Sequence, residues 1–244
     1  MVNETLKTPQ IDCDTYILIT KTGTHIDLYG DPNLMDFMVR EHHKVSTQLH
    51  DPDTLCRFDE KIFGIGLLKT ATCSLTEAMN ILGYKSYHEP YYLDRIWDFD
   101  FVNDMPIAVR YKFLDAMFPN AKFILTIREM NSWIKSIEGW WKNLTEGDLL
   151  PEGRRRKMNT QFDPIGTAYN RFLAFNTLEW DADLFIKKHK QHIQEVKEHF
   201  KGREEKLLIL DICGGDDWIH LCNFLNRPIP IDEFPCLNTK NKPV

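Results

Sequence analysis

The sequence predicts an α/β fold in three layers, with helices covering both faces of a short parallel sheet. Short, strongly apolar runs such as residues 121–127 and 205–212 have the length and composition of fully buried strands. Segments with helical spacing of apolar residues separate these runs along the chain. Because strands joined by helical crossovers run parallel and need cover on both faces, this alternation favours the three-layer architecture.

The first sixty residues lie outside this alternation. Residues 15–20 and 24–30 alternate like two strands, which predicts a hairpin, and residues 32–49 have helical spacing. We expect residues 1–60 to form a hairpin and helix extension packed on a main domain of residues 61–244, giving a single domain overall.

The main domain begins with a strand at residues 61–66, a loop and a helix at residues 72–82. A short extended piece at residues 84–90 follows, and then a polar, aromatic-rich stretch. Further helices are predicted at residues 106–118, 132–144, 161–178, 180–200 and 217–225, and further strands at residues 121–127 and 205–212.

Composition and charge narrow the function classes. The chain has 244 residues, 43% hydrophobic and 27% charged, which is typical of a globular protein long enough to bury a core. A net charge of −6 argues against a general nucleic-acid binder. No apolar run approaches the roughly 18–20 residues of a membrane span, and the N-terminus lacks the apolar core of a signal peptide. Six cysteines without a C-x-x-C pair predict reduced thiols, a cytoplasmic location and no zinc site.

A candidate phosphate loop joins the first strand of the main domain to its helix. Residues 64–75 read GIGLLKTATCSL, in which Lys69 and the hydroxyls of Thr72 and Ser74 surround a helix start. Free N–H groups at a helix N-terminus favour phosphate, and the lysine adds positive charge. The Walker pattern is not met, since Leu68 stands where it needs a glycine. The alternative is a plain helix cap by Thr72 or Ser74.

A second lysine loop, Lys21-Thr22-Gly23-Thr24, competes with this one on residue types alone. It also follows a predicted strand, and it contains a glycine. The residues after it alternate like a strand, so no helix N-terminus is at hand to supply free N–H groups. We therefore favour the loop that contains Lys69.

A second anion site is indicated at the end of the strand at residues 121–127. Arg128 comes directly after this strand, and Ser136 follows eight positions later in the next helix. An arginine at the carboxyl end of a parallel strand lies at the ligand-binding edge of an open α/β sheet, and its planar fork suits a phosphate. Two anion sites on neighbouring strand ends predict a ligand with two separate phosphates.

The combination resembles the sulfotransferases that use 3′-phosphoadenosine 5′-phosphosulfate (PAPS). Their 5′-phosphate loop is similar to Lys69-Thr70-Ala71-Thr72-Cys73-Ser74, and their 3′-phosphate site is similar to Arg128 with Ser136. Residues 65–83, 104–129 and 206–238 resemble one soluble branch of this family, so the likeness covers most of residues 61–238.

This resemblance implies a P-loop NTPase-like sulfotransferase fold and an enzyme that transfers a sulfuryl group from PAPS, without a metal. The acceptor would be a hydroxyl or amine of a small molecule, with no nucleic acid or membrane as partner. The cofactor-binding residues implied are Lys69, Thr70, Ala71, Thr72, Cys73, Ser74, Arg128 and Ser136. Two residues depart from the pattern, because Ala71 replaces the usual glycine and Cys73 a hydroxyl residue. If the loop needs a positive φ at Ala71, we expect weaker cofactor binding.

Four residues are candidates for the chemistry. Lys69 would lie beside the leaving phosphate oxygen, where charge develops. Asp104 is the preferred general base, because Asp104-Met105-Pro106 resembles a carboxylate version of the catalytic His-x-Pro of cytosolic members. A simple helix-capping role for Asp104 is the alternative. His88 and Glu89, after the second strand, are rival bases or acceptor-pocket residues.

Two other functions stay open at this point. In a magnesium-dependent P-loop kinase or NTPase, Asp211 would bind the metal, but Arg128 and Ser136 would have no role. In an inactive sulfotransferase-like binding protein, Ala71 and Cys73 would mark the loss of activity. The aromatic residues of 87–101 are consistent with a pocket for a hydrophobic or aromatic small molecule, or equally with a lid. The acceptor's identity and the oligomeric state leave no signature in the sequence.

Overall fold

The computed structural model describes residues 11–12, 15–19, 25–28, 61–90, 96, 98–145, 164–177 and 179–237. The chain divides into two compact units, residues 1–50 and residues 51–244, and each is described by itself.

The N-terminal unit contains a small antiparallel sheet. Its strands are β1 (Ile11–Asp12), β2 (Thr15–Ile19) and β3 (His25–Leu28), in the order β1-β2-β3. The pairing of β2 with β3 confirms the predicted hairpin. The helix predicted at residues 32–49 and the competing loop at residues 21–24 lie outside the described residues. That the extension packs on the main domain stays a prediction.

The main unit is organised around a parallel sheet of five strands. They are β4 (Ile62–Gly64), β5 (Ser86–His88), β6 (Phe101–Asn103), β7 (Lys122–Thr126) and β8 (Leu207–Leu210). Their spatial order is β5-β6-β4-β7-β8, and every neighbouring pair is parallel. The strand that leads into the candidate phosphate loop is therefore the central one.

Six α-helices are described in this unit. They are α1 (Thr72–Ile81), α2 (Tyr111–Met117), α3 (Met130–Thr145), α4 (Pro164–Phe175), α5 (Ala182–His199) and α6 (Trp218–Leu225). Short 3-10 turns at Ile107–Val109 and Glu204–Lys206 precede α2 and β8. None of the described helices is long and apolar enough to cross a membrane.

Alternate strand residues pack into two separate cores, one on each face of the sheet. On one face, Phe63 and Phe123 join side chains of α2 and α5, such as Leu114 and Val196. On the other face, Ile62 and Ile124 join side chains of α1 and α6. Period-two alternation between two covered faces is what a three-layer α/β sheet requires, so the predicted fold class is confirmed.

One strand was missed in the sequence. Residues 101–103 lie in the stretch that reads as polar and aromatic-rich, yet Phe101–Asn103 form β6, a fully buried strand between β4 and β5. Three residues are too few to show a period, and acidic residues flank them on both sides. The consequence is functional, because Asn103 and Asp104 are delivered by this strand.

A buried ion cluster lies outside the sheet edge that carries the candidate site. Asp115, on α2, is 8% exposed and contacts His199 at 2.9 Å, Arg203 at 2.7 Å and Lys206. Burial raises the pKa of the Asp115 carboxyl, but hydrogen bonds from Lys206, Arg203 and His199 outweigh burial and lower it. The cluster joins α2 to the segment that leads into β8.

Replacing Asp115→Asn is expected to destabilise the fold by about 3 kcal/mol, because partly buried cations lose their counter-charge. Urea denaturation of the two proteins measures the difference. The matched control is Glu198→Gln, which removes an exposed pair with Lys201 and is expected to cost below about 0.5 kcal/mol. Equal losses in the two variants would show that the Asp115 cluster contributes no more than a surface ion pair.

Candidate active site

Four neighbouring strands bring the predicted site residues to one edge of the sheet. His88 ends β5, Asp104 follows β6, and Arg128 lies two residues beyond β7. The β4–α1 loop, residues 65–71, contains Lys69 and follows the central strand. Because these strands are parallel and adjacent, their carboxyl ends lie side by side, where open α/β sheets bind ligands.

The backbone of the β4–α1 loop leaves a row of N–H groups unpaired. Lys69 and Ala71 have left-handed backbone, with φ of 69° and 73°. Left-handed residues spaced in this way turn successive N–H groups into a concavity that binds anions. The first helical donor is Leu75, whose N–H bonds to the Ala71 carbonyl at 3.0 Å. Within the described ranges, the N–H groups from Ala71 to Ser74 donate to no protein acceptor.

Side chains from α3 and the end of β7 hold the carbonyl side of the same loop. Trp133 Nε1 donates to the Leu68 carbonyl at 2.9 Å, and Arg128 Nη1 donates to the Lys69 carbonyl at 3.3 Å. The Trp133 side chain is completely buried. Two carbonyl dipoles are thus bonded to the protein, which leaves the unpaired N–H groups to face a ligand.

The hydroxyl of Thr70 also belongs to this internal support. It donates to the Leu67 carbonyl at 2.6 Å and lies 2.7 Å from the hydroxyl of Thr126, at the end of β7. Gly66 permits this close approach, since a Cβ there would lie 1.9 Å from Thr126 Oγ1. Any contact of Thr70 with a phosphate would therefore use its backbone N–H.

Two histidines of α5 lie behind the loop. His192 Nε2 donates to the Ile65 carbonyl at 2.8 Å, and the His189 ring packs on the Trp133 ring with centroids 4.1 Å apart. Burial lowers the pKa of His192, although its bond to Ile65 opposes the shift. Burial and the neighbouring His192 lower the pKa of His189 to about 4. His189 is therefore neutral at physiological pH.

Arg128 is oriented by a residue that the sequence reasoning missed. Its Nε donates to Ser132 Oγ at 2.9 Å, one turn before Ser136 on α3. Positions i and i+4 share one helix face, so Ser136 lies on the same side as Ser132. The spacing of four from Arg128 to Ser132 was the signal that could have revealed this bond. Arg128 has five donors, and the bonds to Ser132 and to the loop use two of them.

The carboxylate of Asp104 is bound to the helix that follows the loop. Thr72 Oγ1 donates to Asp104 Oδ2 at 2.6 Å, and the backbone N–H of Met105 donates to Oδ1 at 2.8 Å. Asp104 is 4% exposed and has a left-handed φ of 71°. Its position beside Thr72 brings it next to the loop, as the sequence predicted.

Cys73 and His88 form a contact that the sequence did not reveal. Cys73 Sγ lies 3.1 Å from His88 Nε2, which is also 3.8 Å from Asp104 Oδ2. Burial acts to lower the pKa of His88, but the hydrogen bond to Cys73 and the charges of Asp104 and Glu89 raise it to about 10. His88 Nδ1 lies 3.1 Å from Asn103 Oδ1, on the missed strand β6.

The remaining predicted residues have protein partners as well. Ser74 is buried, and its hydroxyl accepts a bond from the Leu237 N–H at 2.9 Å, which ties the C-terminal segment to α1. The Glu89 N–H donates to the Asn103 carbonyl at 3.1 Å. The hydroxyls of Thr70 and Thr72 thus donate to protein acceptors, so these two residues have only their backbone N–H groups for a phosphate. The Ser74 hydroxyl accepts a bond and keeps its own O–H to donate.

Two donors in the site lack a protein partner. In the portion of the chain that the structure describes, neither the Lys69 ammonium nor the Ser136 hydroxyl makes an ion pair or hydrogen bond, and both side chains are half-buried. The described residues also contain no group of three or more His, Cys, Asp and Glu side chains placed to hold a metal ion. Donors rather than acceptors therefore dominate the ligand side of the β4–α1 loop.

Comparison with known proteins identifies the family to which this site belongs. A family model described as a sulfotransferase domain matches residues 92–242, more than half of the chain. The chain belongs to the sulfotransferase family. It is also similar to Ava biosynthesis cluster protein M of Aspergillus versicolor, with 25% identity over 220 residues that cover 74% of this chain and 82% of the relative. The resemblance inferred from the sequence is confirmed.

The matched range covers only part of the candidate site of this sulfotransferase. Asp104, Arg128 and Ser136 lie inside it, whereas Lys69 and Cys73 precede it. The role of the β4–α1 loop therefore rests on its geometry, on its unpaired N–H groups and on its contacts with Arg128 and Trp133.

Replacing Ala71→Gly is expected to stabilise the sulfotransferase by about 1 kcal/mol, because glycine adopts the φ of 73° without the clash that a Cβ causes. Thermal and urea unfolding measure the change. The matched control is Ala78→Gly inside α1, which is expected to destabilise by about 1 kcal/mol or more. Destabilisation by both substitutions would contradict a strained loop at Ala71.

The stability of this sulfotransferase is expected to fall in mild acid because of His189. Its folded pKa of about 4 lies below the ordinary value of 6.5, so the unfolded state binds the proton first. The contribution is complete above pH 6.5 and is lost as the pH falls toward 4, by up to about 3 kcal/mol. Urea unfolding over this pH range measures the loss, and His189→Gln is expected to flatten the profile. An unchanged slope of stability against pH in that variant would show that His189 does not cause the loss of stability in acid.

Proposed function

We propose that this sulfotransferase transfers the sulfuryl group of PAPS to a hydroxyl or amine of a small molecule. The observation that carries the proposal is the pair of donor sets on adjacent strand ends. One set is the unpaired N–H row of the β4–α1 loop with Lys69, and the other is Arg128 with Ser136. Two anion sites joined by one hydrogen bond match a ligand that carries two phosphates on one ribose.

The residues present fit such a ligand. The N–H groups of Ala71 to Ser74 and the Lys69 ammonium would hold the 5′-phosphate end, since none of them has a protein acceptor. The free donors of Arg128 and the Ser136 hydroxyl would hold the 3′-phosphate. The bond from Arg128 to the Lys69 carbonyl fixes the spacing between the two sets.

When bound, PAPS supplies an activated sulfuryl group whose transfer leaves a second negative charge on the 5′-phosphate. Lys69 supplies a full positive charge and the loop N–H groups supply fixed dipoles at the same point. Both therefore stabilise the added charge. Arg128 and Ser136 contribute to binding and orientation.

Asp104 is the better candidate for the base that takes the acceptor's proton. His88 is already protonated at neutral pH, so it has no lone pair to offer in that state. Asp104 Oδ2 keeps a lone-pair position beyond its bond to Thr72, and its carboxylate is fixed by the Met105 N–H. A base role for Glu89 stays a weaker prediction, since Glu89 precedes β6 and its charge acts on His88 rather than on the helix that follows the loop.

The acceptor is proposed to be a small organic molecule. The similar Aspergillus protein is named for a biosynthesis cluster, and clusters of this kind build small molecules. Tyr87 and Phe99 stack with centroids 4.7 Å apart but pack on the core that contains Phe63, so they leave the chemical class of the acceptor open.

The activity is tested by the release of adenosine 3′,5′-bisphosphate from PAPS, in EDTA, with panels of phenols, alcohols and amines. Asp104→Asn is expected to lower kcat by about 10²–10⁴-fold, because the general base is lost. The matched control is Asp98→Asn, an exposed carboxylate that precedes β6, which is expected to leave kcat unchanged.

Two results would contradict the proposal. Release that never exceeds the protein-free rate with any acceptor would favour a binding protein without activity. Equal kcat in the wild type and in Asp104→Asn would remove the base role while leaving the transfer reaction intact.

A further inference from the structure

Cys73 occupies an unusual position for a cysteine in this chain. It is the second residue of α1, half-buried, and its Sγ lies 3.1 Å from His88 Nε2. The unpaired N–H groups of the helix N-terminus lie around it, and they stabilise negative charge. A cysteine in contact with a histidine that holds a proton, at the positive end of a helix, is the arrangement of an activated nucleophile.

Asn103 fixes the tautomer of His88. The Asn103 amide donates through Nδ2 to the Thr72 carbonyl at 2.8 Å, and Oδ1 accepts from the Thr76 hydroxyl at 3.0 Å. The oxygen side of the amide therefore faces His88 Nδ1, 3.1 Å away, so Nδ1 must carry a proton. Nε2 is then the nitrogen that exchanges a proton with Cys73.

The charged groups around His88 favour its protonated form. Asp104 Oδ2 lies 3.8 Å from Nε2, and Glu89 is the next residue along the chain. Both carboxylates stabilise an imidazolium, and burial opposes them. A proton that leaves the thiol thus has a stable place on His88.

We propose that Cys73 is a peroxide-reactive thiol whose oxidation blocks the anion site of the β4–α1 loop. Cys73, His88 and Asn103 form the reactive group, in which His88 holds the proton and Asn103 positions His88. The effect on donor binding rests on the proposed function, whereas the reactivity of the thiol does not.

The oxidation step is balanced with hydrogen peroxide as the oxidant. The step starts from an ion pair in which His88 Nε2 already carries the proton and Cys73 is the thiolate, and this thiolate attacks one peroxide oxygen. The S–O bond forms as the O–O bond breaks, and the departing hydroxide takes the proton from His88 as water. Sulfur is oxidised by two electrons to a sulfenic acid and the peroxide is reduced, and a small thiol reverses the change.

The oxidised side chain would occupy the ligand side of the loop. Cys73 is flanked by the N–H groups that are proposed to hold the 5′-phosphate, so an added oxygen can accept their bonds in place of a phosphate oxygen. Oxidation would therefore compete with donor binding at the same atoms.

The other described cysteines provide internal controls. Cys236 is exposed, Cys213 is exposed, and Cys222 is buried. Among the described residues, no histidine lies in hydrogen-bond contact with any of these three. Burial raises the pKa of the Cys213 and Cys222 thiols, which disfavours their thiolate forms. Cys236 is the appropriate reference, because its thiol is exposed.

The test is site-resolved mass spectrometry of the full-length protein, treated near neutral pH with limiting iodoacetamide and, separately, with hydrogen peroxide and dimedone. We expect Cys73 to react at least about tenfold faster than exposed Cys236, although it is half-buried. His88→Gln is expected to bring the Cys73 rate to that of Cys236 or below, with the Cys236 rate unchanged. Circular dichroism verifies that this variant is folded.

A Cys73 rate equal to or below that of Cys236 in the wild type would overturn the proposal, and this comparison needs no variant. An unchanged Cys73 rate in folded His88→Gln would overturn the role of His88. Adenosine 3′,5′-bisphosphate is expected to protect Cys73 and not Cys236. If Cys73 reacts fast but the bisphosphate does not protect it, the proposed donor site is wrong and the reactive thiol stands. If Cys73 reacts slowly while the bisphosphate binds, the reactive thiol is wrong and the donor site stands.

Discussion

The candidate site depends on one constraint, which is that the carbonyl groups of the β4–α1 loop are bound to the protein interior. Trp133 holds Leu68, Arg128 holds Lys69, and His192 of α5 holds Ile65. Each bond removes a negative dipole end from the ligand side and leaves N–H groups there. These bonds leave the loop N–H groups facing the ligand, as glycine does in a Walker loop, although this loop has Leu68 and Ala71 in place of glycines. The left-handed backbone of Ala71 is a source of strain in this arrangement.

The same network connects binding to chemistry. Asn103 and Asp104, at the end of β6, both contact Thr72, through its carbonyl and its hydroxyl. A change at Thr72 would therefore disturb the start of α1, the carboxylate proposed as base and the amide that orients His88. Three strand ends, β4, β6 and β7, meet through these bonds, which explains why short strands suffice to fix the site.

The fold class could be predicted from the sequence because the patterns that indicate strands and helices are local. Apolar runs and helical spacing gave four of the five parallel strands and the helices of the main unit, and the fifth strand was too short to show a period. Lys69 and Arg128 were predicted because each follows a predicted strand, where ligands bind. Asp104 was predicted from the family resemblance, since the strand before it was missed. The family resemblance then ordered them into one site.

The internal contacts of the site could not be predicted in this way. The contact of Cys73 with His88 spans 15 positions, and that of Leu68 with Trp133 spans 65. No local pattern encodes such pairs, since they arise only when the strands align. For the same reason, the sequence suggested the Thr72 hydroxyl as a direct phosphate donor, whereas in the folded chain it donates to Asp104.

The measurement that tests the central claim most directly is calorimetric titration of adenosine 3′,5′-bisphosphate into the wild type and into Trp133→Phe, in EDTA. Phenylalanine keeps an aromatic ring at this buried position, although a smaller one, and removes the N–H that holds the Leu68 carbonyl. The account predicts binding to the wild type and an affinity about tenfold lower in the variant, which is the worth of one buried hydrogen bond. Equal affinities, or no binding to the wild type, would contradict it.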